Sequence, residues 1–323
     1  MYRMVDACNA AGIDAAVLHQ ARGFRPGWFT SSTPVVAAED MRVRGNDVLV
    51  VSELDAARLM PKAPGVTKII LNQHQYWTFS GGAVDYQHPD IASVIAVSDD
   101  GMRYLRCAFP GLSPYRLRYA VDPVLFRPRP KTRTVGYLTT KGDGPRTQVL
   151  TMLKGRGSLA EWTLRPLVGL SQVEMAKALG EMAVLASFSE SEGFQMLLTE
   201  AMAAGTAVVG FDAGGGKEYL TNEVAWPVPA GDLVGFVEKI EAVTALHDEQ
   251  PGAITVKTDR ARRLVADRYT LAGEASDTIK AVAPAAGRAA LLSAKPAFNV
   301  TEIRTRSDAI RERARAVSKA LLR

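Results

Sequence analysis

Short apolar runs alternate with helical patterns along most of this 323-residue chain, and this alternation limits the folds it can adopt. After a helix over 4–11, the strands predicted in the first half are 15–19, 47–52, 68–71 and 93–97. Those predicted in the second half are 134–138, 162–167, 183–187 and 206–210. Most are rich in Val, Ile and Leu, as expected of parallel strands that are covered on both faces. The pattern therefore predicts an α/β protein with parallel sheets.

The length of the chain and one proline-rich segment predict two domains. A chain of 323 residues exceeds one typical domain. Residues 119–130 carry three prolines within eight positions, and proline cannot continue a helix or a central strand. We therefore predict an N-terminal domain over 1–127, a linker around 119–130, and a C-terminal domain over 128–300.

The C-terminal part of the chain has two further patterns. The Ala/Pro-rich stretch 283–298 is predicted to be a connector, after helices over 172–179, 233–245, 258–267 and 271–282. Residues 301–323 are predicted to form a basic amphipathic helix. Two interpretations of that helix stay open: it packs back on the N-terminal domain, or it contacts anionic lipid.

Composition and charge exclude several classes of protein. The net charge of +5 suits an anionic ligand or an acidic membrane surface, but no basic run interleaved with aromatic residues indicates nucleic-acid binding. Two cysteines without C-x-x-C spacing predict neither a disulfide framework nor a structural zinc site. No apolar run approaches about 18 residues, and polar residues interrupt the N-terminal segment. A cytoplasmic location, with peripheral contact at the inner face of the membrane as an option, is the expectation.

The segment 192–205 contains two carboxylates eight residues apart, Glu192 and Glu200. Between Gly193 and Phe211 the only charged residue is Glu200, and a helix that is apolar nearly all round is a buried helix. A buried carboxylate needs a charged or hydrogen-bonding partner. A ligand that bears hydroxyl groups is one such partner. A partly exposed Glu on an ordinary core helix is the alternative.

The residues around this pair resemble a known signature. Residues 187–194, with Glu200 and the small residues up to Gly205, resemble the E-x7-E signature of retaining glycosyltransferases of the GT-B fold, most closely glycosyltransferase family 4. The stretch 208–220 and the hinge phrase 121–128 are also similar to that family. The resemblance implies two doubly wound Rossmann-like domains that face each other across a cleft. It also implies metal-independent transfer of a sugar, with retention, from a nucleotide diphosphate sugar to a glycan or lipid-linked acceptor, as in surface polysaccharide biosynthesis.

The resemblance also implies roles for the residues of the signature. Glu192 would bind hydroxyl groups of the donor sugar, and Glu200 those of the nucleotide ribose. A carboxylate accepts two hydroxyl hydrogen bonds, which suits a vicinal diol. Gly193, Phe194 and Gln195 would open a helix whose N-terminus meets the diphosphate. The nucleotide sugar is a co-substrate, and neither a cofactor nor a metal is expected.

Other segments supply further candidates for the donor site. By the same resemblance, Lys141 would neutralise the diphosphate leaving group. Where many family members carry an Arg this chain has Tyr137, and Arg146 is the substitute that we consider. The Gly-rich loop with Gly215, Gly216 and Lys217 would lie near the donor. It is a near miss for a P-loop, because the residue after the lysine is neither Ser nor Thr.

His74 follows a predicted strand in the first domain. Because open α/β sheets bind ligands at the carboxyl ends of their strands, His74 is the histidine that we place at the donor sugar or the acceptor. A structural, hydrogen-bonded histidine is the alternative. Catalysis would rest on positioning and on stabilisation of the leaving group, and no nucleophile is assigned.

The N-terminus differs from the family pattern. Family members have a strand and a Gly-rich loop before their first helix, and neither is visible ahead of residue 4. This difference supports an alternative function, a non-catalytic GT-B relative that acts as a carbohydrate-binding or partner subunit. A dinucleotide-dependent oxidoreductase is disfavoured, because Thr147 stands where the third glycine of G-x-G-x-x-G would follow Gly142 and Gly144.

Overall fold

A computed structural model describes residues 1–292 of the chain, together with the backbone of a strand over 296–299. The helix predicted over 301–323 lies outside the described residues. No helix in the described part of the chain is both long and apolar enough to cross a membrane.

The first half contains short strands and helices in alternation. In chain order they are α1 (Tyr2–Ala10), β1 (Val17–His19), β2 (Val35–Ala37), β3 (Arg42–Arg44), β4 (Val48–Ser52), α2 (Ala56–Leu59), β5 (Thr67–Asn72), a 3-10 helix (Gln75–Trp77), β6 (Ile91–Ala96), α3 (Asp99–Ala108) and β7 (Tyr115–Arg116). The strands β4, β5, β6 and β7 pair in parallel in that order, and β1 pairs in parallel with β2. The predicted strands of this half are confirmed to within a few residues.

The second half builds a parallel sheet with helices on both faces. Its elements are β8 (Thr132–Leu138), α4 (Asp143–Arg156), β9 (Thr163–Leu167), α5 (Gln172–Glu181), β10 (Met182–Ser187), α6 (Met196–Ala203), β11 (Ala207–Gly210), β12 (Trp226–Pro227), α7 (Leu233–Glu249), α8 (Pro251–Arg268), α9 (Leu271–Ala289) and β13 (Pro296–Asn299). The sheet order is β12-β11-β10-β8-β9, and the backbone of β13 pairs antiparallel with β3. Two parallel Rossmann-like sheets confirm the predicted fold class.

The strand order of the second sheet indicates where a ligand belongs. The first strand of this half, β8, has β9 on one side and β10 on the other, so the direction of winding reverses between β8 and β10. In open α/β sheets the crevice at such a switch point, outside the carboxyl ends of the strands, is the usual ligand site. The segments after β8 and after β10 carry Lys141 and Glu192.

The first sheet is covered on its second face by a helix from the far end of the chain. Successive side chains of β5 point to opposite faces: Ile69 and Leu71 join one buried cluster, and Ile70 joins another. The cluster that contains Ile69 also contains Ala281 and Ala285 of α9. The Ser93 hydroxyl of β6 donates a hydrogen bond of 2.8 Å to the carbonyl of Ala281. The helix α9 therefore belongs to the core of the first sheet.

This packing corrects the predicted connector. Residues 283–289 continue α9 instead of leaving the helix, although Pro284 lies inside it. Ala285 and Ala289 are buried, and α9 packs against α1 and the strands of the first sheet. Burial of this face outweighs the local cost of one proline, which a reading of composition does not show. The domain boundaries at 127 and 300 stay a prediction.

Lys131 ties together the ends of two helices in the second half. Its Nζ donates to the carbonyl oxygens of Gly180 at 2.8 Å and Ala204 at 2.9 Å, and to the Thr206 hydroxyl at 2.9 Å. These carbonyls lie at the C-terminal ends of α5 and α6, where the helix dipole favours a cation.

Lys131→Ala is expected to destabilise the protein, because the buried Ala204 carbonyl loses its donor and the Gly180 carbonyl keeps only the hydrogen bond from the Arg129 N–H. An unsatisfied buried acceptor costs about 1–3 kcal/mol, so a loss of about 1–3 kcal/mol in the free energy of unfolding is expected. Urea denaturation measures it, with the exposed Lys154→Ala as the matched control, which is expected to stay within about 0.5 kcal/mol of wild type. Equal stabilities of the two variants would contradict this role.

Candidate active site

A cavity of about 950 Å³ lies between the two halves of the chain. Six residues that line it from the second half and from the segment after β5 were predicted from the sequence: His74, Lys141, Glu192, Gly193, Phe194 and Glu200. The segments after β5, β8 and β10 thus bring these predicted residues together at the carboxyl ends of their strands.

Glu192 is held in place from several directions. Its carboxylate is buried and accepts hydrogen bonds from Lys141 Nζ, as an ion pair, and from the Ser189 hydroxyl at 3.0 Å. Its backbone is fixed as well, since its N–H donates to Ala213 at 2.8 Å and its carbonyl accepts from Gly215 at 3.1 Å. The segment after β10 is therefore bonded to the segment after β11, and the carboxylate has little freedom to move.

Lys141 and Arg146 have different places in the loop after β8. Lys141 lines the cavity and its side chain is half exposed, so its ammonium can reach a ligand. Arg146 is not among the residues that line the cavity. Its guanidinium pairs with Asp143 at 2.7 Å and donates to the carbonyl oxygens of Leu138 and Lys141. In this conformation Arg146 shapes the loop that presents Lys141.

The predicted helix start at Gly193 is wrong by three residues. The helix α6 begins at Met196, with Gln195 as its N-cap. Gln195 is occupied within the protein: its side chain accepts from Ser187 at 2.7 Å, and its N–H donates to the Tyr219 hydroxyl at 3.0 Å. Phe194 packs edge-on against Tyr219, with ring centroids 5.1 Å apart. The segment 193–195 is a connection that is packed from both sides rather than the first turn of a helix.

Gly193 is a point of very close approach between the two halves of the chain. A Cβ atom built there would lie 1.7 Å from the carbonyl oxygen of Gln73 and 2.9 Å from the Cα of His74. Only glycine fits between these backbones. The contact sets the distance between the segment after β5 and the segment after β10.

Glu200 lines the same cavity from the second turn of α6. Burial raises the pKa of its carboxyl group to about 7, and the positive charge of Arg3 opposes this shift. Within residues 1–292, no side chain forms a hydrogen bond or an ion pair with this carboxylate. A partly buried carboxyl group that faces a cavity without a protein partner is available to a ligand with hydroxyl groups.

The Gly-rich loop lies against the first half of the chain. Gly215 and Gly216 pack against backbone, since a Cβ would come within 2.1 Å of the Gly193 carbonyl and within 2.5 Å of the Asp212 carbonyl respectively. Lys217 Nζ pairs with Asp100 at 3.1 Å. None of the three is among the residues that line the cavity. A role for them at the donor stays a prediction.

His74 links the two halves at the floor of the cavity. Its Nε2 lies 3.2 Å from the carbonyl of Ser191, which can only accept, so Nε2 carries the proton. Burial lowers the pKa of His74, which favours the neutral imidazole. The ring stacks on Trp77 with centroids 4.1 Å apart and planes 6° from parallel. These contacts show that His74 has a structural role at the site.

Sequence reasoning missed three residues of this site. Arg3 lines the cavity and pairs with Glu274 of α9 at 2.6 Å. Glu53 is buried behind the segment that carries His74, where its carboxylate accepts from the Gln73 N–H at 3.1 Å. Burial raises the pKa of Glu53 to about 7.

Trp77 lines the cavity, but the sequence analysis gave it no role of its own. Arg3 is placed by long-range packing and carried no local signal, but Glu53 directly follows a predicted strand, which is a signal.

Among the described residues, no group of three or more His, Cys, Asp or Glu side chains is placed to hold a metal ion.

Residues 126–245 match the protein family described as Glycosyl transferases group 1. A curated protein of Actinobacillus pleuropneumoniae serotype 7, named an alpha-1,6-glucosyltransferase, is 25% identical over 263 residues, which are 75% of this chain and 76% of that protein.

Solved structures share the fold at low sequence identity. TarM superposes with a TM-score of 0.56 and 13% identity, over 73% of this chain and 55% of that chain. Sucrose-phosphate synthase from Thermosynechococcus elongatus superposes with a TM-score of 0.54 and 15% identity, over 72% of each chain. HepE of Anabaena, solved in complex with UDP-glucose, gives a TM-score of 0.52 and 14% identity, over 67% of this chain and 72% of that chain.

This chain spans about half the length of TarM. The likeness to these structures establishes the fold, and the family match covers the segment that carries Lys141, Glu192 and Glu200. The chain therefore has the GT-B fold, and its residues 126–245 are similar to glycosyltransferases in sequence.

Proposed function

We propose that the chain transfers a hexosyl residue from a nucleotide diphosphate sugar to a glycan or lipid-linked acceptor, with retention of anomeric configuration and without a metal ion. The observation that carries the proposal is the Glu192–Lys141 ion pair at the switch point of the second sheet, in the same cavity as Glu200. HepE, a neighbour in fold, is solved with UDP-glucose, and the curated relative is named an alpha-1,6-glucosyltransferase.

The charges of the cavity suit the two ends of such a donor. A diphosphate competes with Glu192 for the half-exposed ammonium of Lys141, and Lys141 then stabilises the negative charge of the leaving group. Glu192 becomes free to accept hydrogen bonds from hydroxyl groups of the transferred sugar. Glu200 accepts hydrogen bonds from the ribose.

The test is a turnover assay with UDP-, GDP- and ADP-sugars against a panel of glycans and prenyl phosphates. Product is followed by NMR, since the coupling constant of the anomeric proton reports retention or inversion. A retained product formed in the presence of EDTA supports the proposal. Inversion, or activity that EDTA abolishes, would contradict it, and nucleotide binding without turnover would favour the non-catalytic relative.

Donor binding is expected to tighten as pH rises through about 7. The Glu200 carboxyl group has its pKa raised to about 7 by burial, and only the ionised form accepts hydrogen bonds with both oxygens. The affinity for UDP should therefore be lower at pH 6 than at pH 8, by about threefold to tenfold for one such group. Titration calorimetry measures it.

The stability of the free protein depends on pH in the opposite direction to its affinity for UDP. The folded pKa of Glu200 lies above its ordinary value, so the free protein gains stability from this group at low pH and loses it as pH rises between about 4.5 and about 7. Glu200→Gln should flatten the binding profile. It should also lessen the fall in stability, to which Glu53 contributes as well, and so raise the midpoint of urea unfolding at pH 8 relative to wild type. An unchanged pH profile of UDP binding in Glu200→Gln would contradict this assignment.

A further inference from the structure

Exposed aromatic rings line the cavity on the side of the first half. Trp77, in the 3-10 helix after β5, is 41% exposed, and Trp28 is 54% exposed. Both line the cavity together with Phe29. Large apolar side chains are usually buried, so two solvent-exposed tryptophan side chains beside a cavity require an explanation.

The protein fixes the ring of Trp77 and the backbone that carries Trp28. Trp77 stacks on His74, whose Nε2 donates to the carbonyl of Ser191, so the indole plane is tied to the residue just before Glu192. The carbonyl of Trp28 accepts a hydrogen bond of 2.8 Å from the N–H of Gln172 in the second half. An aromatic ring held as Trp77 is offers contact area at little cost in conformational entropy.

Polar groups accompany the rings. Thr30, Ser31 and Ser32 directly follow Trp28 and Phe29, and all of them line the cavity; Asp6 and Asp122 add carboxylates. The face of an aromatic ring carries negative charge and attracts polarised C–H groups, such as those on the apolar face of a pyranose. Hydroxyl and carboxylate groups bind the ring hydroxyls of a sugar.

We propose that Trp77 and Trp28 form an acceptor subsite that binds a pyranose ring, so that the acceptor group which enters the cavity is a sugar and not a lipid phosphate. The inference rests on the proposed function in one respect, since it assigns the first-half wall to the acceptor because the donor groups lie on the second half. Through His74 and Ser191, the subsite lies next to Glu192, where the transferred sugar would be held.

The test measures sugar binding directly. Methyl α- and β-D-glucopyranoside, methyl β-D-galactopyranoside and the methyl glycoside of N-acetylglucosamine are titrated by saturation-transfer NMR and intrinsic fluorescence, with farnesyl phosphate as the lipid probe. At least one pyranoside should bind the wild type, and Trp77→Ala should weaken it by about tenfold or more, as for removal of an aromatic stacking partner. Trp77→Phe should keep most of the affinity, and Trp28→Ala should weaken it less than Trp77→Ala.

Trp226→Phe is the matched control, because Trp226 lies under Lys257 Nζ at 4.2 Å and is not among the residues that line the cavity. It should bind the pyranoside as the wild type does. If no pyranoside binds, if Trp77→Ala binds as well as the control, or if farnesyl phosphate displaces the sugar and depends on Trp77, the inference is overturned. UDP titration is separate: a failure of UDP and other nucleoside diphosphates to bind would refute the proposed function while leaving sugar binding at Trp77 measurable.

Discussion

Glu192→Gln is expected to lower kcat/KM by about 10²- to 10³-fold with little change in fold, on the scale of removing one preorganised electrostatic group from an active site. The substitution keeps the size of the side chain but removes the charge that pairs with Lys141 and accepts from Ser189. The amide is a poorer acceptor for two sugar hydroxyls, and Lys141 loses its partner in the free enzyme. Steady-state kinetics with the donor varied at saturating acceptor measures the effect.

Glu190→Gln is the matched control, because Glu190 is an exposed carboxylate in the same loop, two residues away. It should keep nearly the full activity. The double variant Glu192→Gln/Lys141→Met should have a kcat/KM no lower than that of the less active single variant. The effects of residues that act as a unit are not additive. Equal activities of Glu190→Gln and Glu192→Gln would show that Glu192 has no role in the reaction.

Gly193→Ala is expected to separate the two halves of the chain by about 1 Å at the cavity and to lower kcat/KM by about 100-fold, the cost of a misplacement of that size. The new Cβ would lie 1.7 Å from the Gln73 carbonyl, which is backbone and cannot move aside like a flexible side chain. Overpacking should also cost about 1–3 kcal/mol in the free energy of unfolding. Kinetics and urea denaturation measure the two effects.

Gly155→Ala controls for the loss of a glycine in general. Gly155 lies inside α4, and a Cβ added there would meet no atom within 4 Å, so alanine should stabilise the helix by about 0.5–1 kcal/mol and leave activity unchanged. If Gly193→Ala were as active as Gly155→Ala, the contact between the segments after β5 and β10 would have no role in closing the cavity.

The fold could be predicted from the sequence wherever the pattern is local. The apolar runs indicated the parallel strands, and the spacing around Glu192 indicated the segment after β10, because each signal lies within about twenty residues. That residues 283–289 continue a helix could not be predicted from the sequence. Their helix is stabilised by burial against a sheet formed far earlier in the chain, as the Ser93–Ala281 hydrogen bond shows.

The site divides in the same way. Glu192 and Glu200 were identified from their spacing and from the resemblance to the E-x7-E signature, and Lys141 from the same resemblance. The structure brings the three to one cavity. Gln195 and Lys217 were predicted as ligand groups, but in this conformation each is hydrogen-bonded or ion-paired within the protein, to Ser187 and Asp100 respectively. A sequence names the residue types near a site but not which partner each one meets.

The central claim is that a nucleoside diphosphate binds in the cavity through Glu200 and Lys141. The most direct measurement is calorimetric titration of UDP, GDP and ADP into the wild type, Glu200→Ala and Lys141→Met at pH 8, with the exposed Lys154→Ala as control. We expect one binding site for one of these nucleotides, with affinity reduced about tenfold or more in the first two variants and unchanged in the control. An absence of binding by all three nucleotides, or binding that is indifferent to both Glu200 and Lys141, would contradict it.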